Sequence, residues 1–315
     1  MKRELIGDTP LVKIKASYKG ITKNVYAKLE YYNYTGSIKD RMAEYILRKS
    51  YENGSFKRGM SIVEATSGNT GIAFASLGAR FGHQVHIFMP DWASVERRKI
   101  MEMYGAKVYP ISKEEGGFRE AIRRADELSK KINGFRPQQF SNELNVLAHY
   151  NGTGEEIVKN VHNIDAFVSG FGTGGTIIGI GKKIKEKFPN AKVIAMEPKN
   201  MTLLSLDKKI GSHKIEGIGD DFLPDIVDKS IIDGNILIED NDAIQMSKML
   251  ARKLGLGVGI SSGGNFLASM LVSGENVVTV FADDFKKYLS TDLFRDGSDT
   301  ESIVEQIEIH SMEVL

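Results

Sequence analysis

The stretch "AFVSGFGTGGTIIGIGKKIKEKF", Ala166 to Phe188, decides the fold. An apolar run suited to a buried strand gives way to a glycine-rich turn and then to a helical pattern. Strand, tight turn, helix is the repeating unit of a parallel α/β sheet. The same alternation runs outward from it. "SIVEA", "QVHIFMP", "AKVYPI", "KVIAMEP" and "VVTVFA" read as strands, and "GGFREAIRRADELSKKI" and "DAIQMSKMLARKLG" as amphipathic helices. The sequence therefore predicts an α/β protein with twisted, mostly parallel sheets flanked by helices. No internal repeat of the ~20–50-residue kind is visible.

Bulk properties narrow the function classes. A length of 315 residues suits about two domains of ~150 residues. With 41% hydrophobic and 26% charged residues and a net charge of +1, the chain reads as a soluble protein without a polyanion-binding field. Nucleic acid is not an expected partner. There is no cysteine, which excludes disulfides, thiolate metal sites and a cysteine nucleophile. The N-terminal "MKRELIGDTPL" lacks the apolar core of a signal peptide, and no apolar stretch is long enough to span a membrane. A cytoplasmic protein is expected. The six histidines include His83 and His86, which a strand would point to opposite faces, so no metal site is expected. "SVERRKIMEMYG", with Arg97, Arg98 and Lys99 in a row, reads as an exposed helix start. The last ~20 residues, "FRDGSDTESIVEQIEIHSMEVL", read as a surface or interface tail.

Open α/β sheets bind ligands beyond the carboxyl ends of their strands. The first such loop is "GFGTGGT", Gly170 to Thr176. Its glycines let backbone N–H groups converge, and the helix start adds positive partial charge, which together cradle a phosphate. The plain alternative is a tight strand–helix turn. A sharper alternative is a nicotinamide site. Gly170, Gly172 and Gly175 fit G-x-G-x-x-G, and Glu197 ends the next strand where a ribose acceptor belongs. The second loop is "EATSGNTGIA", in which Thr66, Ser67, Asn69 and Thr70 surround Gly68. It suits a carboxylate, or else serves as an ordinary helix cap. The third, "GVGISSGGN", offers a hydroxyl from Ser261 or Ser262 to a ring nitrogen, or caps another helix.

A lysine completes the set. In "YNYTGSIKDRM", Lys39 follows the small residues Thr35, Gly36 and Ser37. A phosphate cradle, a carboxylate cradle, a serine pair and one lysine suit an amine that forms a Schiff base with an aldehyde cofactor carrying phosphate and a ring nitrogen. On that reading the small neighbours let a planar cofactor reach the amine.

These residues are recognisable. "IGDTPLVKI", "GSIKDRM", "TSGNTGIA", "MPDWASVERRKIMEMYGAKV", "QQFSNELN", "GTGGTIIGIG", "GISSGG" and "KKYLSTDLF" occur in the order of one family. The chain resembles the cysteine synthase/cystathionine β-synthase family of pyridoxal-phosphate enzymes, of fold type II and tryptophan synthase β type. The resemblance covers nearly the whole chain. It implies pyridoxal 5′-phosphate held on Lys39, with Asn69 at the ring hydroxyl. It implies Gly172, Thr173, Gly174, Gly175 and Thr176 around the phosphate and Ser261 at the pyridine nitrogen. Thr66, Ser67, Gly68, Thr70, Gln139 and Gly217 would meet the amino-acid substrate. It also implies a large domain of residues 1–40 and 148–315, a small mobile domain of residues 41–147, and a homodimer. The family chemistry is β-replacement at Cβ through an aminoacrylate intermediate.

One departure is informative. Where typical O-acetylserine sulfhydrylases read G-I-G-A-G-F, this chain reads "GIGDDFLP", Gly217 to Pro224. Asp220 and Asp221 would repel hydrosulfide but could take a proton from water and aim its oxygen at Cβ. They suggest L-cysteine plus water giving L-serine plus hydrogen sulfide, unless both are solvated surface charges. Tyr34 before the lysine segment and "FADDFKKYL" after the last strand also depart from the family pattern. An ordinary cysteine synthase, a cystathionine β-synthase and a lanthionine-forming enzyme remain alternatives. From other classes, so do a nicotinamide-dependent oxidoreductase and a non-catalytic cofactor sensor.

Overall fold

The structure is a computed structural model that describes residues 5–204, 208–209, 211–219, 222–295 and 302–315. Asp220 and Asp221 therefore lie outside the described residues.

The chain opens with a hairpin of β1 (Leu11–Tyr18) and β2 (Ile21–Leu29), then enters α1 (Lys39–Glu52). Next come β3 (Ile62–Ala65), α2 (Asn69–Phe81), β4 (Val85–Pro90), α3 (Val95–Met103), β5 (Lys107–Ile111) and α4 (Gly117–Ile132). Then α5 (Glu143–Ala148), a π-helical segment His149–Gly154 and α6 (Glu155–Asn160) lead to β6 (Ala166–Gly170), α7 (Gly175–Lys187) and β7 (Lys192–Pro198). A short hairpin, β8 (Met201–Thr202) with β9 (Lys208–Lys209), precedes β10 (Gly234–Ile238), α8 (Asp240–Leu254), α9 (Ile260–Leu271), β11 (Asn276–Phe281) and β12 (Ile307–Val314).

The strands form two main sheets. The larger runs β10-β7-β6-β11-β2-β1-β12, and the smaller runs β3-β4-β5. From β10 to β2 every pairing in the larger sheet is parallel; β1 and β12 complete it antiparallel. The smaller sheet is parallel throughout. All six residues of β4 are buried, as expected of a strand covered on both faces.

Helices cover the larger sheet on both faces. Residues of α8 and α9 pack in one core layer, and residues of α6 and α7 in the other. The smaller sheet packs α1, α2 and α3 on one side and α4 on the other. In α4, Ala121 and Ala125 share the buried face one turn apart, so the helix sits close to its sheet. Its outer face pairs Glu120 with Arg124 and Arg123 with Glu127 at i, i+4.

Two sequence expectations change here. The C-terminal residues are more than a tail, because Ile307–Val314 adds an edge strand to β1, with Val12 opposite Val314. "SVERRKIMEMYG" is only partly exposed. Arg97 is 2% exposed and shares the inner face of α3 with Met101, one turn on.

Candidate active site

Lys39 stands where the two cores meet. Ile38, before it, packs in the core of the larger sheet, and Met42, after it, in that of the smaller one. The loop before Lys39 is fixed from both sides. Asp40 accepts from Thr35 N at 2.7 Å and from Thr35 Oγ1 at 2.6 Å. Ile38 N donates to Ala282 O at 2.8 Å, and Lys287 Nζ donates to Gly36 O at 2.7 Å. Gly36 has φ +82°, and a Cβ there would lie 3.2 Å from Asp284 Oδ2 and 3.4 Å from Lys287 Nζ. Its smallness therefore answers backbone conformation and this packing. Burial pushes the Lys287 amine below its usual range, against the raising effect of Asp283, Asp284 and Asp40.

Lys39 lines a cavity of about 90 Å³ at the carboxyl ends of both sheets. From the smaller sheet, the β3–α2 turn brings Thr66, Ser67, Gly68, Asn69 and Thr70 to its wall. Gln139, also on the wall, accepts from Thr70 Oγ1 at 2.7 Å and donates to Ala65 O at 2.9 Å. From the larger sheet, the β6–α7 turn contributes Gly172, Thr173, Gly174 and Thr176. Their amides lie at the N-terminal end of a 13-residue helix, where partial positive charge favours an anion. A Cβ on Gly172 would lie 2.7 Å from Gly217 O, so the turn packs too tightly for a side chain. Gly175 does not reach the wall; it packs on the Asn145 amide, which donates to Thr173 Oγ1 at 3.0 Å.

The serine pair divides. Ser261 lines the cavity at the start of α9, while Ser262 Oγ accepts from Ala282 N at 3.0 Å and holds the backbone. Gly217 also lies on the wall, with φ +90°. Glu197 does not. It is buried, and its Oε1 accepts from Leu204 N at 2.8 Å. The ribose acceptor required by a nicotinamide site is thus committed elsewhere.

Sequence reading missed Arg97, Glu216, Asp283 and the aromatic pair Phe118 and Phe140, all on the wall. Arg97 pairs with Glu216, lies 4.0 Å from Asp283 Oδ2 and stacks its guanidinium 4.6 Å from the Tyr288 ring centroid. A Cβ on Gly68 would lie 2.7 Å from Arg97 Nε, so Gly68 makes room for this arginine. Asp283 Oδ2 accepts from Asn69 Nδ2 at 2.7 Å and from Tyr288 OH at 2.8 Å. Burial first, and then Asp283, pushes the Tyr288 hydroxyl well above its usual range. One signal for Arg97 was available: it lies one turn before Met101 on an amphipathic helix.

The wall fits a phosphorylated, amine-reactive ring. It presents a lysine, an anion-binding helix start and, on Asn69, a buried Oδ1 with no hydrogen-bond partner. A wider cleft of about 730 Å³ shares Ser67, Phe118, Glu216, Gly217 and Ile218 with the cavity and leads outward past Trp92 and Lys113. Among the described residues no cluster of three or more histidines or carboxylates suits a metal ion, and no helix is long and apolar enough to cross a membrane.

A family model described as pyridoxal-phosphate dependent enzyme matches residues 2–283. Cysteine synthase B of Campylobacter jejuni is 43% identical over 297 residues, covering 92% of this chain and 97% of that protein. A solved hydrogen sulfide-producing enzyme from Fusobacterium nucleatum is 48% identical with a TM-score of 0.94, covering 99% of this chain and 96% of that one. An aspartate-to-asparagine variant of that enzyme, solved with an α-aminoacrylate intermediate, gives a TM-score of 0.95 at 48% identity, over 99% of this chain and 97% of that one. The nicotinamide alternative falls with these findings. The chain belongs to the pyridoxal-phosphate dependent enzyme family, as a cysteine synthase-type β-replacement enzyme whose cofactor is pyridoxal phosphate.

Proposed function

We propose that this enzyme converts L-cysteine and water to L-serine and hydrogen sulfide. One observation carries the reading: the loop "GIGDDFLP" brings Gly217 and Ile218 to the cavity wall and continues directly into Asp220 and Asp221. The hydrogen sulfide-producing enzyme at 48% identity supports it, as does that protein's aspartate-to-asparagine variant, solved with an α-aminoacrylate intermediate.

In this reading Lys39 holds the cofactor and moves the proton at Cα. Gly172, Thr173, Gly174 and Thr176 hold the phosphate, with Gly175 packed behind them on Asn145, while Asn69 meets the ring hydroxyl and Ser261 the ring nitrogen. Bound pyridoxal phosphate supplies an electron sink for the charge left when the Cα proton departs. Thr66, Ser67, Gly68, Thr70, Gln139 and Gly217 orient the substrate; Phe118 and Phe140 shield the site from bulk water. The C–S bond at Cβ breaks and the sulfur leaves as hydrosulfide, which becomes hydrogen sulfide with the proton that the aspartate takes from water. An aspartate takes a proton from water as its oxygen bonds Cβ, and the Cα proton returns from Lys39. The two cores meeting at Lys39 support a division into residues 1–40 with 148–315, and residues 41–147. The working form is a cytoplasmic homodimer, with a mass that sedimentation checks.

The test gives purified enzyme L-cysteine alone and quantifies sulfide, serine, pyruvate and lanthionine. Sulfide with matching serine is expected. Asp220→Asn and Asp221→Asn are then compared, and at least one should release sulfide once per site and lose serine. Unchanged serine release in both variants would refute the role of the loop. The cysteine synthase B relative favours a second reading. Rapid cysteine formation from O-acetylserine and sulfide, with no turnover of cysteine alone, would select it.

A further inference from the structure

Behind the phosphate side of the cavity lies a histidine that none of these roles uses. His149 begins the π-helical segment His149–Gly154 and is 1% exposed. Such segments recur at functional sites because they redirect a side chain that a regular helix would aim elsewhere. His149 Nδ1 lies 3.1 Å from Thr153 Oγ1, and its Nε2 lies 3.4 Å from Thr176 Oγ1. Thr153 is fully buried. Close helix packing makes this arrangement possible. On α7, one turn after Gly175, a Cβ at Gly179 would lie 2.8 Å from His149 Cβ and 2.9 Å from Tyr150 N.

The direction of these bonds follows from their far end. A phosphate at the cradle accepts hydrogen bonds and offers none. Thr176 has a single hydroxyl proton, so serving the phosphate means donating outward and accepting from behind. Burial first, and then the charges of Lys39 and Arg41, pushes the His149 imidazole well below its usual range, so it is neutral. A neutral imidazole has one N–H and one lone pair, and only Nε2 faces Thr176.

We infer that His149 is a positioning residue for the cofactor phosphate, locked as the Nε2–H tautomer between Thr153 and Thr176. Thr153 donates its hydroxyl to Nδ1, Nε2–H donates to Thr176 Oγ1, and Thr176 donates into the cradle. Each group in the chain spends its one proton in the same direction, and each bond polarises the next. The inference rests on the reading of Thr176 as a phosphate ligand.

The first test uses the wild-type holoenzyme. Nitrogen-15 NMR of the imidazole is expected to show neutral His149 with its proton on Nε2. A proton on Nδ1, or an imidazolium at neutral pH, overturns the inference. The second test measures the dissociation constant of pyridoxal phosphate in a double-mutant cycle. His149→Leu should raise it about tenfold, and His149→Gln, which keeps an N–H donor, should recover part of that loss. In a Thr176→Val background, His149→Leu should add little. Additive losses overturn the inference. A normal dissociation constant in Thr176→Val overturns the reading of the cradle and the inference with it. A loss in Thr176→Val beside an Nδ1–H imidazole overturns the inference alone.

Discussion

Gly179→Ala tests whether α7 and the His149 segment are as close as the site requires. On an isolated helix this substitution is favourable, by about 1 kcal/mol, because alanine restricts the unfolded chain more than glycine does. Here the added methyl lies 2.8 Å from His149 Cβ and 2.9 Å from Tyr150 N, with Val146 O closer still. Two of those three atoms are backbone, so no side-chain rotation relieves the overlap. Overpacking of this kind costs roughly 1–3 kcal/mol, which outweighs the propensity gain. A net loss of about 1–2 kcal/mol is expected in urea unfolding of the apoenzyme. The displaced His149 should also weaken cofactor binding. Gly181→Ala is the internal comparison. The three atoms nearest its methyl would be side-chain methyls, Ile231 Cγ2 at 3.0 Å and Val193 Cγ1 and Cγ2 at 3.2 Å, so it should be nearly neutral. A Gly179→Ala enzyme more stable than wild type, with unchanged cofactor affinity, would refute the reasoning, since the propensity term alone would then be at work.

Three further outcomes follow from charges around the site. Glu156 is pushed up by burial but drawn down more strongly by Arg41 and Lys28, reaching about 2. Its folded value lies below its ordinary 4.5, so its stabilisation is present above about pH 4.5 and is lost as pH falls toward about 2. That shift is worth on the order of 3 kcal/mol, and Glu156→Gln should flatten the acid limb of the stability–pH curve measured by urea titration. Lys287→Met should loosen Gly36 and slow borohydride fixation of the cofactor on Lys39, with overall stability falling less than the rate. Asp283→Asn removes the carboxylate facing Asn69, Tyr288 and Arg97, and a changed cofactor absorption band is expected with the fold intact by circular dichroism.

The fold was legible because its strands and helices are set by local patterns. "QVHIFMP" is apolar enough to be covered twice, and "FREAIRRADELSKK" holds small residues on one face and charges on the other. The candidate ligand loops were legible for a related reason: glycine, serine and threonine cluster where backbone must approach a ligand. What escaped depends on distant packing. β12 looks like a charged tail until β1 pairs with it. Arg97 looks like one cation in a row of three until Asp283 and Glu216, both from the far side of the cleft, surround it. The tight approach of α7 to the His149 segment was visible only as glycines four residues apart, Gly175 and Gly179, a pattern that also suits an ordinary loop-to-helix turn.

The pairing of Arg97 with Glu216 bears on which carboxylate works on water. Glu216 lines the cavity beside Gly217 and is the acid that immediately precedes the "GIGDDFLP" loop in the sequence. A carboxylate already matched by a buried guanidinium is a poor proton acceptor, because taking a proton would leave Arg97 facing a neutral partner. Glu216 is therefore assigned to holding α3 against the Gly217 loop, which leaves the proton transfer of the proposed reaction to the acidic pair proposed for it, Asp220 or Asp221. Glu216→Gln separates the two duties. It should weaken substrate binding, raising KM for cysteine, while the serine-to-sulfide ratio of the products stays at one. If that ratio collapses in Glu216→Gln and holds in both aspartate variants, the base is Glu216 and the acidic pair has another role.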